Sequence, residues 1–388
     1  MRDQESSGGD AAASAEVVVV GGGVIGLAVA RALAVRGAGR IVLVERARLG
    51  AEASHAAGGM LAPQAEADSA DAFFELACAA RDLYPSFAET LREETGTDVE
   101  LERTGTLYLA FTERDEEEIE HRYLWQRRAG MEVERLSADE ARRLEPCVSR
   151  DVRAALRFPQ DVQVENRRLV AALSSSVEKR GVRVLTETHV RSLLTERGRV
   201  QGVETSRGRI ETPTVVLAAG AWTTFLSPSD KGSPQVCIEP VRGQMLCFET
   251  NPRLARHVIY SPRGYVVPRL DGRLLAGSTT ERAGFSKRVT AAGLHQITAH
   301  AMEIVPGLAD LPLVDSWAGL RPKAADDWPI LGASNDVGGL FYATAHYRNG
   351  ILLAPLTGEL IAEEITTGVA PPRWRAFGPD RFHAALAR

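Results

Sequence analysis

The sequence is poor in cysteine. Its four cysteines (Cys78, Cys147, Cys237, Cys247) form no CxxC pair and no metal-ligand spacing. That argues against structural zinc and against a disulfide scaffold, and predicts reduced thiols in a cytoplasmic protein with no metal site. Long apolar runs are also lacking. The longest, Val17 to Ala30, is interrupted by four glycines and ends at Arg31, which suits a buried core segment rather than a bilayer span. There is no basic excess: 46 Lys and Arg against 51 Asp and Glu give a net charge of −5, so no basic stripe marks a nucleic-acid partner. The first fifteen residues lack the basic start and apolar stretch of a signal peptide, and residues 1–15 are predicted to be a flexible tail.

What is present is an ordinary globular composition, 44% hydrophobic and 25% charged over 388 residues. The length suggests two or three domain-sized units. Glycine is in excess, at 35 residues, about 9% against a usual ~7%, and its placement is informative. Glu16 to Val20 reads as a buried strand, Val24 to Arg36 as a helix closed by Gly37 and Gly39, and Ile41 to Val44 as a second strand. Gly21, Gly23 and Gly26 stand between strand and helix in GxGxxG spacing. The first allows a tight turn, the second lets backbone approach a pyrophosphate, and the third lets helix and strand pack closely. The helix N-terminus favours the phosphate charge. Glu45 follows at the roughly 20-residue distance where a carboxylate meets ribose hydroxyls. This βαβ unit predicts a dinucleotide site and by itself leaves FAD and NAD open.

Three further features favour flavin. Val215 to Trp222 (VVLAAGAW) is a second buried strand ending at Gly220, preceded by a helix from near Asn166 and by strand pairs over Gly181 to Thr195. Ala53 to Pro63 (ASHAAGGMLAP) is a run of small residues whose Gly58 and Gly59 suit backbone lying against a planar ring. Near the C-terminus, His346 to Pro355 (HYRNGILLAP) predicts a helix starting at Asn349 or Gly350 and running through Leu360 to Glu364. Its N-terminal dipole suits the electron-rich edge of a reduced flavin.

Together, GGGVIGLAVA, HAAGGMLAP, GYVVPRLDGRLLAGSTTERAGF, DSWAGLRP and HYRNGILLAP resemble the D-amino-acid oxidase-like flavoenzymes, and within them the glycine oxidases of thiazole (thiamine) biosynthesis. The resemblance covers nearly the whole chain after the tail. It implies an α/β FAD-binding Rossmann-like domain of the two-dinucleotide type, plus an α+β substrate domain built on an antiparallel sheet. The cofactor domain is expected over residues 16–80, 150–235 and 318–388, and the substrate domain over 81–149 and 236–317. The sequence agrees independently. Gly105 to Thr112, Val241 to Glu249 and Gly264 to Arg269 read as strands, Asp271-Gly272 as a hairpin turn, and Asp82 to Glu94 and Ala291 to Val305 as helices of the substrate region.

The resemblance also assigns residues. Besides Gly21, Gly23, Gly26, Glu45, Gly58, Gly59, Gly220 and Gly350, it implies FAD contacts at Val24, Ile25, Arg46, Ser54, Met60, Val190, Ala219, Trp222, Arg348, Asn349, Ile351 and Leu352. FAD is expected to be noncovalent. His55 stands where some relatives attach the cofactor, but the surrounding match is to noncovalent enzymes, and no cysteine follows Cys247. The implied reaction needs no acid or base: a neutral amine loses its Cα hydrogen as hydride, the imino acid hydrolyses, and oxygen is reduced to hydrogen peroxide. Arg321 is the first choice for the substrate carboxylate, since guanidinium matches two carboxylate oxygens and Pro322 keeps its backbone extended. Tyr265 is expected on the same carboxylate, and Arg348 is expected to line the site. Glycine is the implied substrate, with oxygen as acceptor and a homo-oligomer as the common assembly. A D-amino-acid, sarcosine or other N-methyl-amino-acid oxidase or dehydrogenase is the alternative. Thr280, where glycine oxidases often carry a larger apolar residue, is the departure that keeps this alternative open.

Overall fold

The computed structural model describes residues 13–227 and 236–382. Residues 1–12 of the expected tail therefore lie outside the described residues, as do parts of the second and third cofactor segments. The tail ends earlier than expected. Ala13–Ser14 already pairs in parallel with Ile210–Glu211, and Ala15 is buried.

A six-stranded sheet forms the centre of the cofactor half. Its spatial order is Ile330–Ala333, Leu340–Thr344, Val215–Leu217, Val17–Val20, Ile41–Val44 and Arg183–Leu185. All neighbours are parallel except the first pair. The four valines of Val17–Val20 are all buried, the uninterrupted apolar run of a strand covered on both faces. Side chains alternate across a strand. Val17 and Val19 thus pack with the helices Val24–Val35, Asn166–Lys179 and Gly350–Thr367. Val18 and Val20 pack against Val200, Val203 and Ile210 of a four-stranded sheet on the other side. Three layers result.

The second half is an eight-stranded sheet in the order Leu313–Lys323, Glu239–Glu249, Arg273–Gly277, Gly264–Pro268, Val258–Ser261, Thr106–Ala110, Ala154–Phe158, Glu134–Ser137. It is antiparallel apart from Val258–Ser261 beside Thr106–Ala110. The helix Ala291–Ile304 packs on one face, and the other carries Met245, Tyr265 and Val267 towards the cofactor half. The hairpin at Asp271-Gly272 joins Gly264–Pro268 to Arg273–Gly277. The Rossmann-like layer and the antiparallel sheet are the expected fold.

Several expectations differ from the structure. The helix read as Asp82 to Glu94 runs from Ala72 to Thr95, started by Asp71, which accepts the Phe74 N–H. Its Leu76, Ala80, Tyr84 and Leu91 pack with the helices of the parallel sheet, so it does not belong to the substrate region. Ala154–Phe158 lies in the eight-stranded sheet, beyond the expected boundary at 150, and Leu313–Lys323 runs across the boundary at 317. Sheet partners decide these edges, and a linear reading holds no partner information. The strand pairs expected over 181–195 are not paired with each other. Arg183–Leu185 joins the six-stranded sheet and Val190–Glu196 the four-stranded one.

One packing contact ties the cofactor-half helices together. Pro355 lies inside the helix Gly350–Thr367 and has no N–H, so the Ile351 carbonyl lacks its usual helical donor. The fully buried Tyr84 hydroxyl donates to that carbonyl instead. Tyr84→Phe leaves the carbonyl buried and unpaired, and is expected to lower stability by about 1–3 kcal/mol. A urea midpoint equal to that of the parent chain would refute this.

Candidate active site

A cavity of about 440 Å³ lies between the two halves. Its floor is the turn after Val17–Val20. Gly21 has φ +111°, and a Cβ there would sit 2.4 Å from the Ala218 carbonyl oxygen. A Cβ on Gly26 would lie 1.8 Å from the Gly21 carbonyl oxygen. Gly26 therefore does not line the cavity; it brings the helix against the turn. The helix Val24–Val35 opens with no acidic residue in its first turn and no side-chain cap on Gly23, so its free N–H groups and positive dipole end suit an anion. Ser54 Oγ accepts the Val24 N–H at 3.0 Å, which places a hydroxyl at the same end.

Glu45 is held by the backbone. Its Oε2 accepts the Gly22 N–H at 2.7 Å and its Oε1 the Ala47 N–H at 2.9 Å. Beside it, the Arg46 guanidinium lies 3.6 Å from the Trp222 ring centroid and 2.7 Å from Glu52. Gly21, Gly23, Val24, Ile25, Glu45, Arg46, Ser54, Gly58, Gly59, Met60, Val190, Ala219, Gly220, Trp222, Arg348, Gly350 and Ile351 all line this one cavity, together with Arg321 and Tyr265. Asn349 and Leu352 do not. Asn349 precedes the helix and its carbonyl accepts the Leu353 N–H. Leu352 turns into the helical core, since each helical step rotates about 100° from the cavity-facing Gly350 and Ile351. His55 is exposed and outside the lining.

The opposite wall belongs to the eight-stranded sheet. Arg321 rises from Leu313–Lys323 opposite Val241. Its guanidinium lies over Gly243, where a Cβ would come within 2.3 Å. It donates to the Thr279 carbonyl at 3.0 Å and to Ser278 Oγ at 2.7 Å, both neutral acceptors. Tyr265 is buried, and its hydroxyl meets the Met245 Sδ at 3.4 Å, a weak acceptor. Thr280 is exposed and does not line the cavity. The expected departure at that position therefore does not shape the wall. Met245, on the strand paired with Arg273–Gly277, lines the cavity.

Glu66, Met245, Glu52 and Tyr347 also line the cavity and were not expected from the sequence. Glu66 lies 3.8 Å from Arg348 Nε and accepts the Tyr260 hydroxyl at 2.7 Å. The Glu66 charge raises the Arg348 pKa, and burial with Glu66 raises that of Tyr260. No spacing in the sequence joins Glu66 to Arg348. His346 is buried and lines the cavity, its Nε2 3.0 Å from Thr357 Oγ1, and burial pulls its pKa down to about 3. Among the described residues no cluster of His, Cys, Asp and Glu could hold a metal ion, and no helix is long and apolar enough to cross a membrane.

This donor set fits FAD. In that fit the glycine cradle at the helix N-terminus would meet the pyrophosphate and Glu45 the ribose, while Gly58, Gly59 and Gly350 line the remaining space. The comparisons agree. The family profile described as DAO, FAD dependent oxidoreductase, matches residues 16–364. A glycine oxidase of Geobacillus kaustophilus is 36% identical over 344 residues, 88% of this chain and 90% of that protein. A Pseudomonas aeruginosa glycine oxidase is 36% identical over 88% of this chain and 92% of its own length. The ThiO/ThiG bifunctional protein of Trichormus variabilis is 35% identical over 93% of this chain, which spans 54% of that longer protein. The crystal structure of the Geobacillus kaustophilus glycine oxidase superimposes with a TM-score of 0.89 at 33% identity, over 94% of this chain and 98% of that one. With its glycine cradle, its cavity between two sheets and a profile match along nearly its whole length, the chain belongs to the DAO family of FAD dependent oxidoreductases.

Proposed function

We propose that the protein oxidises glycine to its imine, with FAD held noncovalently and oxygen as the acceptor, and that the product feeds thiazole assembly in thiamine biosynthesis. The observation that carries this reading is Arg321. Arg46 and Arg348 each meet a carboxylate, whereas the Arg321 fork is held by neutral oxygens in the same cavity. A substrate carboxylate completes it. The names of the relatives, glycine oxidases and a ThiO/ThiG protein, support the choice of substrate and pathway. Four free cysteines suit a reducing cytoplasm.

FAD, held by the Gly21–Ile25 turn, Glu45 and the Gly58–Met60 backbone, would supply a two-electron acceptor for the substrate and an electron donor to oxygen. The chain's own residues do the rest. Arg321 and the Tyr265 hydroxyl hold the carboxylate and fix the Cα. Met60 and Met245 give the cavity apolar walls that keep water off the reacting carbon. Gly58 leaves the space beside Tyr265 open: a Cβ there would lie 3.6 Å from the ring. Gly350 and Ile351 line the cavity at the start of their helix, whose positive dipole end stabilises negative charge developing there. His346 is uncharged and its Nε2 is engaged with Thr357, so it carries no acidic imidazolium proton into the reaction; the amine reacts in its neutral form.

Purified yellow protein is expected to release peroxide with glycine at a higher kcat/KM than with sarcosine or any D-amino acid. A panel in which glycine gives no peroxide would refute the assignment. Arg321→Ala is expected to keep FAD and to raise KM for glycine roughly 30- to 150-fold, equivalent to about 2–3 kcal/mol of charge-assisted binding. Unchanged steady-state kinetics would remove Arg321 from the carboxylate site. Because the neutral amine reacts and His346 already lacks a proton above about pH 3, kcat/KM is expected to rise with pH. His346→Gln is expected to show the same rising limb; a limb displaced in the variant would make His346 the titrating group.

A further inference from the structure

Arg269 ends the GYVVPR run and has no part in the reading above. It is 2% exposed. Burial pulls its pKa down to about 10, and the group stays cationic at neutral pH. Nη2 donates to the Gly58 carbonyl at 2.8 Å and to Asn166 Oδ1 at 3.1 Å. Nη1 donates to the Val164 carbonyl at 2.9 Å and to Gln163 Oε1 at 3.3 Å. All four acceptors are neutral. Asn166 Nδ2 in turn donates to the Ser54 carbonyl at 2.8 Å and the His55 carbonyl at 3.2 Å. The Val164 N–H donates to the Gly59 carbonyl at 2.9 Å.

The carbonyls of Ser54, His55, Gly58 and Gly59 are thus all taken from behind, by one arginine, one asparagine and one backbone N–H. The stretch is pressed against these donors. Gly59 has φ +73°, and a Cβ on it would lie 2.1 Å from the Val164 carbonyl oxygen and 3.0 Å from Arg269 Nη2. Its other side, through Ser54, Gly58, Gly59 and Met60, lines the cavity. Burying a cation against neutral dipoles is costly, and an apolar side chain would fill the same volume at lower cost. What guanidinium adds is a rigid planar fork with fixed donor spacing.

We infer that Arg269, with Asn166, is a positioning residue for the reaction: it sets where the Gly58–Met60 backbone stands in the cavity, and through it the placement of the flavin ring against the substrate carbon. The inference rests on the proposed reading that this backbone lies against FAD. A lysine at 269 keeps the charge and loses the fork, so the peptide groups shift without an apolar gap. Displacements of this size are felt in the rate more than in binding.

The test uses holoprotein of the parent chain, Arg269→Lys and Asn166→Ala. The visible flavin band, FAD content, kcat, KM for glycine and melting temperature are measured for each. Arg269→Lys is expected to retain FAD, to displace the flavin band, and to lower kcat about tenfold with KM within about threefold. Asn166→Ala is expected to act in the same direction with a smaller effect. A folded Arg269→Lys with the parent flavin band and kcat overturns the inference, and so does a kcat loss that only follows lost FAD content. If Arg269→Lys does not fold, Asn166→Ala decides: a parent-like band and kcat overturn it. A parent protein that binds FAD and gives no peroxide from glycine refutes the substrate reading alone, and the flavin band still tests the positioning.

Discussion

The site depends on a backbone contact too close for any side chain. Gly26 lies against the Gly21 carbonyl, and Gly21 against Ala218, at separations where a Cβ would overlap the neighbouring oxygen. This contact brings the N-terminus of Val24–Val35 onto the ends of Val17–Val20 and Val215–Leu217, which are adjacent in the six-stranded sheet. The positive end of the helix dipole then opens into a space that a dinucleotide phosphate can enter. Glu45, held by two backbone N–H groups, and Ser54, on the Val24 N–H, are oriented by the same turn. With the helix further out, neither would face the cavity in this way.

Charge sorts the rest of the cavity. Arg46 is matched by Glu52 and stacked on Trp222, and Arg348 is matched by Glu66. Arg321 is held in geometry by Thr279 and Ser278 but not matched in charge. An arginine with a fixed fork and no anion is a site for a planar anion. Arg321 from the eight-stranded sheet and Gly350 at the helix start line the same cavity, and in the proposed reading the substrate would meet the cofactor there. A small amino acid needs little more from the protein than this orientation, since hydride transfer to bound FAD requires no acid or base.

Much of this was legible in the sequence because its signals are local. GxGxxG, the four-valine strand, the Asp271-Gly272 turn and the Asn349-Gly350 helix start each act through neighbouring residues, and all stand where expected. Signals that depend on distant partners were not legible. Glu66 meets Arg348 only because the chain folds back across the sheet. The helix Ala72–Thr95 packs with the helices of the parallel sheet and not in the substrate region, a choice its apolar face alone does not state. Ala154–Phe158 was misplaced because strand pairing, not spacing, decides sheet membership. Thr280, the departure from the glycine oxidases, faces solvent, and the cavity wall includes Met245 from a strand of the same sheet. Pro355 within a helix became intelligible only with Tyr84, whose hydroxyl replaces the missing donor.

In the proposed reading, one cavity brings FAD and the glycine carbon together, with the carboxylate on Arg321. Anaerobic mixing of the purified flavoprotein with glycine tests it most directly. The visible flavin band is expected to bleach and to return when air is admitted. A flavin band unchanged by saturating glycine without oxygen would contradict it.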